Sequence, residues 1–377
     1  MKYILWLMLT LLTGALTEIS AHDTDSISAA LTKKSTDDLG VIRKTVRGFS
    51  AIDTLYIEPQ HYNWALMLQS TFNYDVYWLR SNAGQQMTLS PDVAMRIGPY
   101  FGWRWIFLGY TFELKNIGMG SDNKIKKEFA ISLYSSQIGV DLFYRRTGND
   151  YKIRKARFGR GDIDDKLEGV DFSGLNVGIT GANVYYIFNH NRFSYPAAFA
   201  QSSCQKISCG SWMAGLGYTR HSVELDHEKL RTTVESATNQ QVLLDSALMF
   251  NSMKYYDLNF SVGYAYNWVF TKNWLLCGSL SGALSYKKSS GEVEVDERND
   301  FSLQNLNVDG ICRVGLVYNN TKWYMGSSAI LHTYNYYKPR FSTNNIFGSI
   351  NVYIGFNFAM KKHYKRQLQQ SSKQKSR

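Results

Sequence analysis

Proline is scarce in this chain, and so are long apolar runs. Five prolines stand among 377 residues, against 29 glycines and 26 tyrosines. With aromatic residues at 15%, that balance favours many strands over many helices. After the first twenty or so residues, no stretch reaches the roughly 18 apolar residues that a membrane helix needs, which excludes a helical membrane protein. Only four cysteines are present, none just after the apolar leader, which argues against a lipid-anchored amino terminus. No Cys/His spacing of a metal site occurs, so neither metal nor cofactor is expected. No H-x-S pair occurs either, and an outer-membrane lipid hydrolase would need His and Ser two apart to aim both at one substrate.

What is present begins with a secretory leader. Lys2 is followed by an apolar core from Ile4 to Leu16 and a cleavage site after Ala21. Four regions follow: the leader at 1–21, a polar and flexible periplasmic segment at 22–52, a barrel at 53–360 and a basic, disordered tail at 361–377. The tail supplies much of the net charge of +11 through Lys361, Lys362, Lys365, Arg366, Lys373, Lys375 and Arg377, with no acidic residue among them. An exported chain without a recognition motif does not bind nucleic acid. Export, the lack of a spanning helix and an aromatic strand composition together point to a Gram-negative outer membrane. A secreted or periplasmic β-domain is the alternative.

The strand signal is periodic. Tyr256, Leu258, Phe260, Val262, Tyr264, Tyr266, Trp268 and Phe270 alternate with small or polar residues, as a strand between lipid and lumen requires. The stretch GPYFGWRWIFLGYTFEL, Gly98 to Leu114, reads as two strands joined by a tight turn at Pro99–Trp103, with Ile106, Leu108, Tyr110, Phe112 and Leu114 facing lipid. The fold class expected is all-β: a transmembrane antiparallel β-barrel of about 12 strands with a short helical element in one long loop. The strands fall near 62–79, 87–100, 103–115, 126–135, 138–147, 174–189, 208–226, 254–270, 273–287, 303–319, 321–336 and 343–358. Tight turns around Gly102, Ser136, Lys272 and Asn320 share one side, the periplasmic one, and long polar loops share the other. Two connections stand out. His190–Ile207 is long, apolar and on the short-turn side, so it either folds into the lumen, forms a periplasmic pad or hides a strand pair. The loop 227–253 is partly helical, with Leu230, Val234, Ala237, Leu244 and Leu248 at helical spacing.

The same period assigns the lumen. Arg96, Glu113, Asp141, Arg145, His221, Asp257, Asn259, Asn305, Asn307, Asp309, Arg313, His332, Asn351 and Asn357 face inward, because a Lys or Arg facing lipid at the midplane costs roughly 2–4 kcal/mol. Twelve strands lie between the filled small barrels and the open large ones, so structural networks and a selective pathway both stay open. The run DLFYRRTGNDYKIR sets Arg145, Arg146, Lys152 and Arg154 beside Asn149 and Asp150, a patch suited to an anionic glycan or to lipopolysaccharide phosphates at the rim. Catalysis is not expected: Asp226 and His227 are adjacent and would diverge on a strand, and His190, His221 and His332 stand alone. Cys204 and Cys209 lie in one loop and either close a disulfide or remain free thiols, while Cys277 faces inward and Cys312 outward. The reading is a non-enzymatic barrel serving as a channel or as an accessory to envelope glycan or lipid traffic. The alternatives are a scaffold that presents its loops at 148–173 and 227–253 to an envelope protein, and, third, a lipid- or glycan-modifying enzyme.

Four blocks, GPYFGWRWIFLGYTFEL, DLFYRRTGNDYKIR, GANVYYIFNHNRFSYPAAFAQSSCQKISCGSW and GYAYNWVF, together resemble a Bacteroidota family known as domain of unknown function 4421. The resemblance runs from about Asp53 to Phe358. It implies an exported, barrel-like protein and carries over no catalytic residues. Cys204 and Cys209 depart from the family's pattern, which weakens an essential role for a disulfide there.

Overall fold

The computed structural model describes residues 52–103, 106–109, 112–113, 127–147, 150–158, 164–241, 243–245, 248–249, 252–291, 305–337 and 341–375. The leader and nearly all of the polar segment before the barrel lie outside these residues. In chain order the strands are β1 (Ile57–Pro59), β2 (Tyr62–Ser81), β3 (Gln86–Pro91), β4 (Ala94–Trp103), β5 (Ile106–Gly109), β6 (Phe112–Glu113), β7 (Lys127–Tyr134), β8 (Ile138–Arg146) and β9 (Tyr151–Arg157). They continue as β10 (Asp171–Phe172), β11 (Leu175–Ile187), β12 (Ser203–Gln205), β13 (Cys209–Leu225), β14 (Ser252–Thr271), β15 (Trp274–Gly291), β16 (Leu306–Asn319), β17 (Trp323–Tyr337) and β18 (Phe341–Met360). Three helices accompany them: α1 (Tyr195–Phe199), α2 (His227–Thr238) and α3 (Lys362–Lys375).

The first long strand, β2, pairs with the last, β18, from Trp64 opposite Phe358 to Ser81 opposite Phe341. From β2 the sheet runs one way through β4 to β5 and β6, and the other way through β18, β17, β16, β15, β14, β13, β11 and β8 to β7, every neighbour antiparallel. Since β5 and β6 both pair with β4 and continue each other, these make twelve strand positions, as the alternation predicts. The result is an antiparallel β-barrel.

Its outer wall is apolar. Leu216, Leu258, Phe260, Leu280, Leu284, Ile350 and Ile354 are all more than half exposed, a pattern that would be costly in water and is favourable in lipid. Aromatic rings form a girdle at the end where β2 begins and β18 finishes: Trp64 meets Phe101 and Trp103, Phe101 meets Phe358, and Trp323 meets Phe356, at centroid distances of 5.1 to 6.3 Å. Trp268, Phe270 and Trp274 continue it across the next strands. This is also the short-turn end, where Asn273 takes φ 69° in the Lys272–Asn273 turn.

Three expectations need correction, and one alternative is decided. Gly102 is not in a turn: it lies in the ladder opposite Ala65 and Phe107, and the chain reverses only between Trp103 and Ile106. Phe101 and Trp103 belong to the girdle, and the strand continues through Pro99 and Gly102. The strand expected at 87–100 is broken at Asp92–Val93, because β3 leaves the barrel wall to pair with β9, a charged strand missed in the sequence. The tail at 362–375 is helical rather than disordered, in keeping with its Lys, Arg and Gln content, and His61 packs on Tyr364 at 4.0 Å. Cys204 and Cys209 are free thiols: Cys204 sits in β12 opposite Glu58, whereas Cys209 opens β13 opposite Asn267.

Candidate functional site in the barrel interior

The segment His190–Ile207 enters the barrel. Ser194 caps α1, accepting the amide of Ala197 at 3.3 Å, and Pro196 takes an early helical position where a missing N–H costs nothing. The capped helix then crosses between the walls. Tyr195 Oη donates to Ser279 Oγ on β15 (3.1 Å), Asn267 Nδ2 on β14 donates to the Ser194 carbonyl (2.8 Å) and to Gln205 Oε1 (3.1 Å), and Gln201 Nε2 donates to Tyr353 Oη on β18 (2.6 Å). Ala197 and Ala198 pack on Leu275, Cys277 and Val317. The returning strand β12 pairs with β1, with Gln205 opposite Ile57. The segment is therefore a plug at the short-turn end, held from several sides of the ring. A cleft of about 350 Å³ on its outer side is lined by Glu58, Lys206, Lys272 and Asn320.

Above the plug, charges are paired across the lumen. Arg313 on β16 donates to Asp141 Oδ2 on β8 (2.5 Å) and to the hydroxyls of Tyr185 (2.9 Å) and Tyr195 (3.4 Å), so one guanidinium ties two walls to the plug. Ser132 Oγ donates to the other Asp141 oxygen at 2.6 Å. Gly139 makes room for this arrangement: a Cβ there would fall within 2.2 Å of the Tyr185 ring.

A second cluster surrounds Lys287, whose side chain is 0% exposed. Its ammonium donates to Asp309 Oδ1 (2.7 Å) and to the Asn335 carbonyl (2.6 Å) and lies 3.3 Å from Asp257 Oδ2, an ion pair not aligned as a hydrogen bond. Ser285 donates to the second Asp309 oxygen, and Asn259 donates to Asp257 at 3.3 Å. A third pair joins Arg145 to Asp75 at 3.4 Å, where Tyr151 also donates to Asp75 at 3.0 Å.

The long-loop end is closed by an apolar core. Leu230 and Val234 of α2, with Leu244 and Leu248, pack against Leu79, Leu89, Ile153 and Phe172. Asp226 caps α2 by accepting the Lys229 amide at 2.9 Å, so the Asp226–His227 neighbours serve a helix start. The sequence located this helical element correctly.

Most residues assigned to the lumen are found there. Asp141, His221, Asp257, Asn307, Asp309, Arg313, His332 and Asn357 are buried inside, and Arg96, Arg145, Asn259, Asn305 and Asn351 are at least half-buried. The backbone of Glu113 lies opposite Arg96, but its side chain is outside the described residues, as is all of Asn149. His221 stacks on Tyr255 at 4.4 Å and His332 on Phe347 at 5.0 Å, and His190 hydrogen-bonds Gln137 at 2.6 Å.

The basic run at 145–154 does not converge on one ligand. Arg145 turns inward to Asp75, Arg146 is exposed, and Lys152 and Arg154 hold Asp92 at 2.9 and 2.8 Å. Asp150 lies with Asp75, Arg96 and Arg145 around a void of about 20 Å³. Alternation separates neighbouring arginines onto opposite faces, which the expectation of a joint patch overlooked. Conversely, Lys287, Asp75 and Tyr185 were missed as interior partners. The signal for Lys287 was its even spacing from inward Ser285, Ala283 and Cys277.

Residues 51–358 match the model of a family described as Domain of unknown function (DUF4421). The chain belongs to that family. The DUF4421 match includes the plug and nearly all of the barrel and leaves out α3. No curated protein matches the sequence. Among solved structures, the outer membrane protease OmpT from Escherichia coli is similar at 8% identity, covering 81% of this chain and 100% of that one, with a TM-score of 0.36. The translocator domain of the autotransporter NalP from Neisseria meningitidis is similar at 10% identity over 86% and 96%, with a TM-score of 0.32. The outer membrane protein OprG from Pseudomonas aeruginosa is similar at 8% over 80% and 98%, with a TM-score of 0.22. Likenesses this distant carry no argument about activity.

Proposed function

We propose that this DUF4421 chain is an exported outer-membrane β-barrel that acts without enzymatic chemistry, as a closed scaffold presenting its long-loop end to an envelope partner. The carrying observation is the lumen crossed, among the described residues, by the plug and by charges paired between its walls. Arg313 bridges opposite walls and the plug, and voids of about 30 and about 100 Å³ beside Asp141 and Arg313 hold at most a few waters. This moves the scaffold ahead of a channel, the reading that sequence alone favoured. The surface on offer is α2 together with β3, β9 and β10 above the rim. In planar bilayers the purified chain should give no discrete conductance steps. Steps from the intact protein would reinstate the channel. For the enzymatic alternative, a deletion strain should keep its lipid A profile unchanged, and an altered profile would reopen it.

A further inference from the structure

The helix α3 forms against its own electrostatics. Its first turn carries no acid, and Lys362, Lys365 and Arg366 crowd the end where the peptide dipoles leave positive charge. Lys362 and Arg366 stand four apart, a like-charged spacing that weakens an isolated helix. No acidic residue follows Asp309 in the chain, so neither the helix nor the two strands leading to it, β17 and β18, supply a counter-charge. Glu58, the acid that stands by Tyr364, is held by His61 at 2.7 Å and by Lys206 at 3.3 Å. Lys362, Lys365 and Arg366 are all exposed, and among the described residues none of the three meets a carboxylate.

The helix starts at the edge of the apolar wall. β18 ends at Met360, opposite Tyr62, and the girdle ring of Phe358 lies just before it. Lys361 fixes the start of α3 by donating its amide to the His61 carbonyl (2.9 Å) and its ammonium to the Gln60 carbonyl (2.7 Å). Tyr364 packs on the His61 ring at 4.0 Å, and His61 bonds Glu58, which lines the cleft on the outer side of the plug. One face of α3 is thereby turned to the barrel mouth. At 3.6 residues per turn, Lys362 and Arg366 stand about 160° around the helix from Tyr364, on the side away from the mouth, where lipid surrounds the girdle. Aromatic rings with Lys and Arg beside them mark the headgroup level of a membrane edge.

We propose that α3 lies on the membrane leaflet at the girdle end, with Lys362, Lys365 and Arg366 bound to the phosphates of anionic phospholipids. Lipid charge supplies what the helix lacks: it offsets the repulsion between Lys362 and Arg366 and the positive end of the helix dipole. A helix of 14 residues is marginal in water, so α3 should hold its structure more firmly where such lipid is present. The proposal rests on the membrane placement of the preceding section and not on the scaffold role.

The test refolds the full chain into vesicles of phosphatidylcholine, with and without phosphatidylglycerol, and reads hydrogen exchange in α3 and in β14. Both leaflets of a vesicle have the same composition, so the direction of insertion does not matter. β14 should be protected equally in the two vesicles. Amides of α3 should exchange about tenfold more slowly with phosphatidylglycerol present, and high salt should remove the difference. The triple substitution Lys362→Gln, Lys365→Gln, Arg366→Gln should make α3 exchange alike in both vesicles. It should not lower protection in phosphatidylcholine alone, since it removes repulsion and keeps good helix formers. A control at the other end of the barrel, Arg220→Gln with Lys254→Gln, should keep the lipid dependence of the wild type. A wild-type α3 indifferent to phosphatidylglycerol, or a triple variant that keeps the dependence, would overturn the site. Protection that appears only on adding soluble polyglutamate would overturn the lipid and assign the surface to an acidic polymer. An unprotected β14 would instead count against the membrane reading itself, so the two failures are distinguishable.

Discussion

A guanidinium and a carboxylate taken out of water each lose several kcal/mol of hydration, and Arg313 and Asp141 recover it from one another and from Tyr185, Tyr195, Ser132 and Tyr134. Arg313→Ala would strand Asp141 in the interior and should cost about 3–5 kcal/mol. The double change Arg313→Met with Asp141→Leu should recover most of that loss in urea unfolding, and a double variant as unstable as the single would contradict the account. Asp92 behaves differently because it lies beyond the apolar belt: hydrogen bonds from Lys152 and then Arg154 hold its carboxyl down at about 2. A depressed carboxyl contributes fully above its ordinary value and loses that contribution as pH falls toward about 2. Hydrogen-exchange protection of β9 relative to the barrel should therefore hold from pH 7 to about 5 and weaken only below about 4, and a loss near pH 6 would refute the pairing. At this scale alternation revealed which way Asp141 and Arg313 face, but not that they meet. They are 172 positions apart, and a period of two gives a face without giving the position around the ring.

The barrel strands were legible because lipid on one side and lumen on the other force strict alternation, as in β14, where Tyr256, Leu258, Phe260, Val262, Tyr264, Tyr266, Trp268 and Phe270 all stand outward. Outside the membrane that pressure ends. The strand β9, YKIRKAR, therefore carries no signal beyond its Tyr and Ile, although Tyr151 and Ile153 are buried. The plug was marked only as an oddity, since Pro196, Ala197 and Ala198 belong to a helix of five residues, too short for a helical period to show. Its closure can be read with a native probe, Cys277, which is 0% exposed beneath Ala197 and Ala198. With Cys204, Cys209 and Cys312 replaced by Ser, Cys277 should react slowly with a maleimide too polar to enter the wall. Adding Asn267→Ala and Gln205→Ala removes the bonds to the Ser194 carbonyl and amide and should raise the rate at least tenfold. An unchanged rate would mean that the plug is held elsewhere.

For the whole molecule, the two ring-bearing levels of the wall measure the membrane it suits. On β14 the belt runs from Tyr256, opposite exposed Arg220, to Tyr266, beside the girdle around Trp268. Ten residues at about 3.3 Å each span about 33 Å along the strand, and a tilt of about 40° projects this to about 25 Å along the barrel axis. That is thinner than the roughly 30 Å hydrocarbon core of an ordinary bilayer. Mismatch costs fractions of a kcal/mol per Å and acts on the whole circumference, so it should appear first in folding yield. Refolding from urea into vesicles should be most efficient where the hydrocarbon core is about 25 Å thick and should fall as the acyl chains lengthen. A yield that rises with thickness would place the upper edge of the belt beyond Tyr256, with outward Arg220 and Lys254 at the hydrocarbon edge rather than above it.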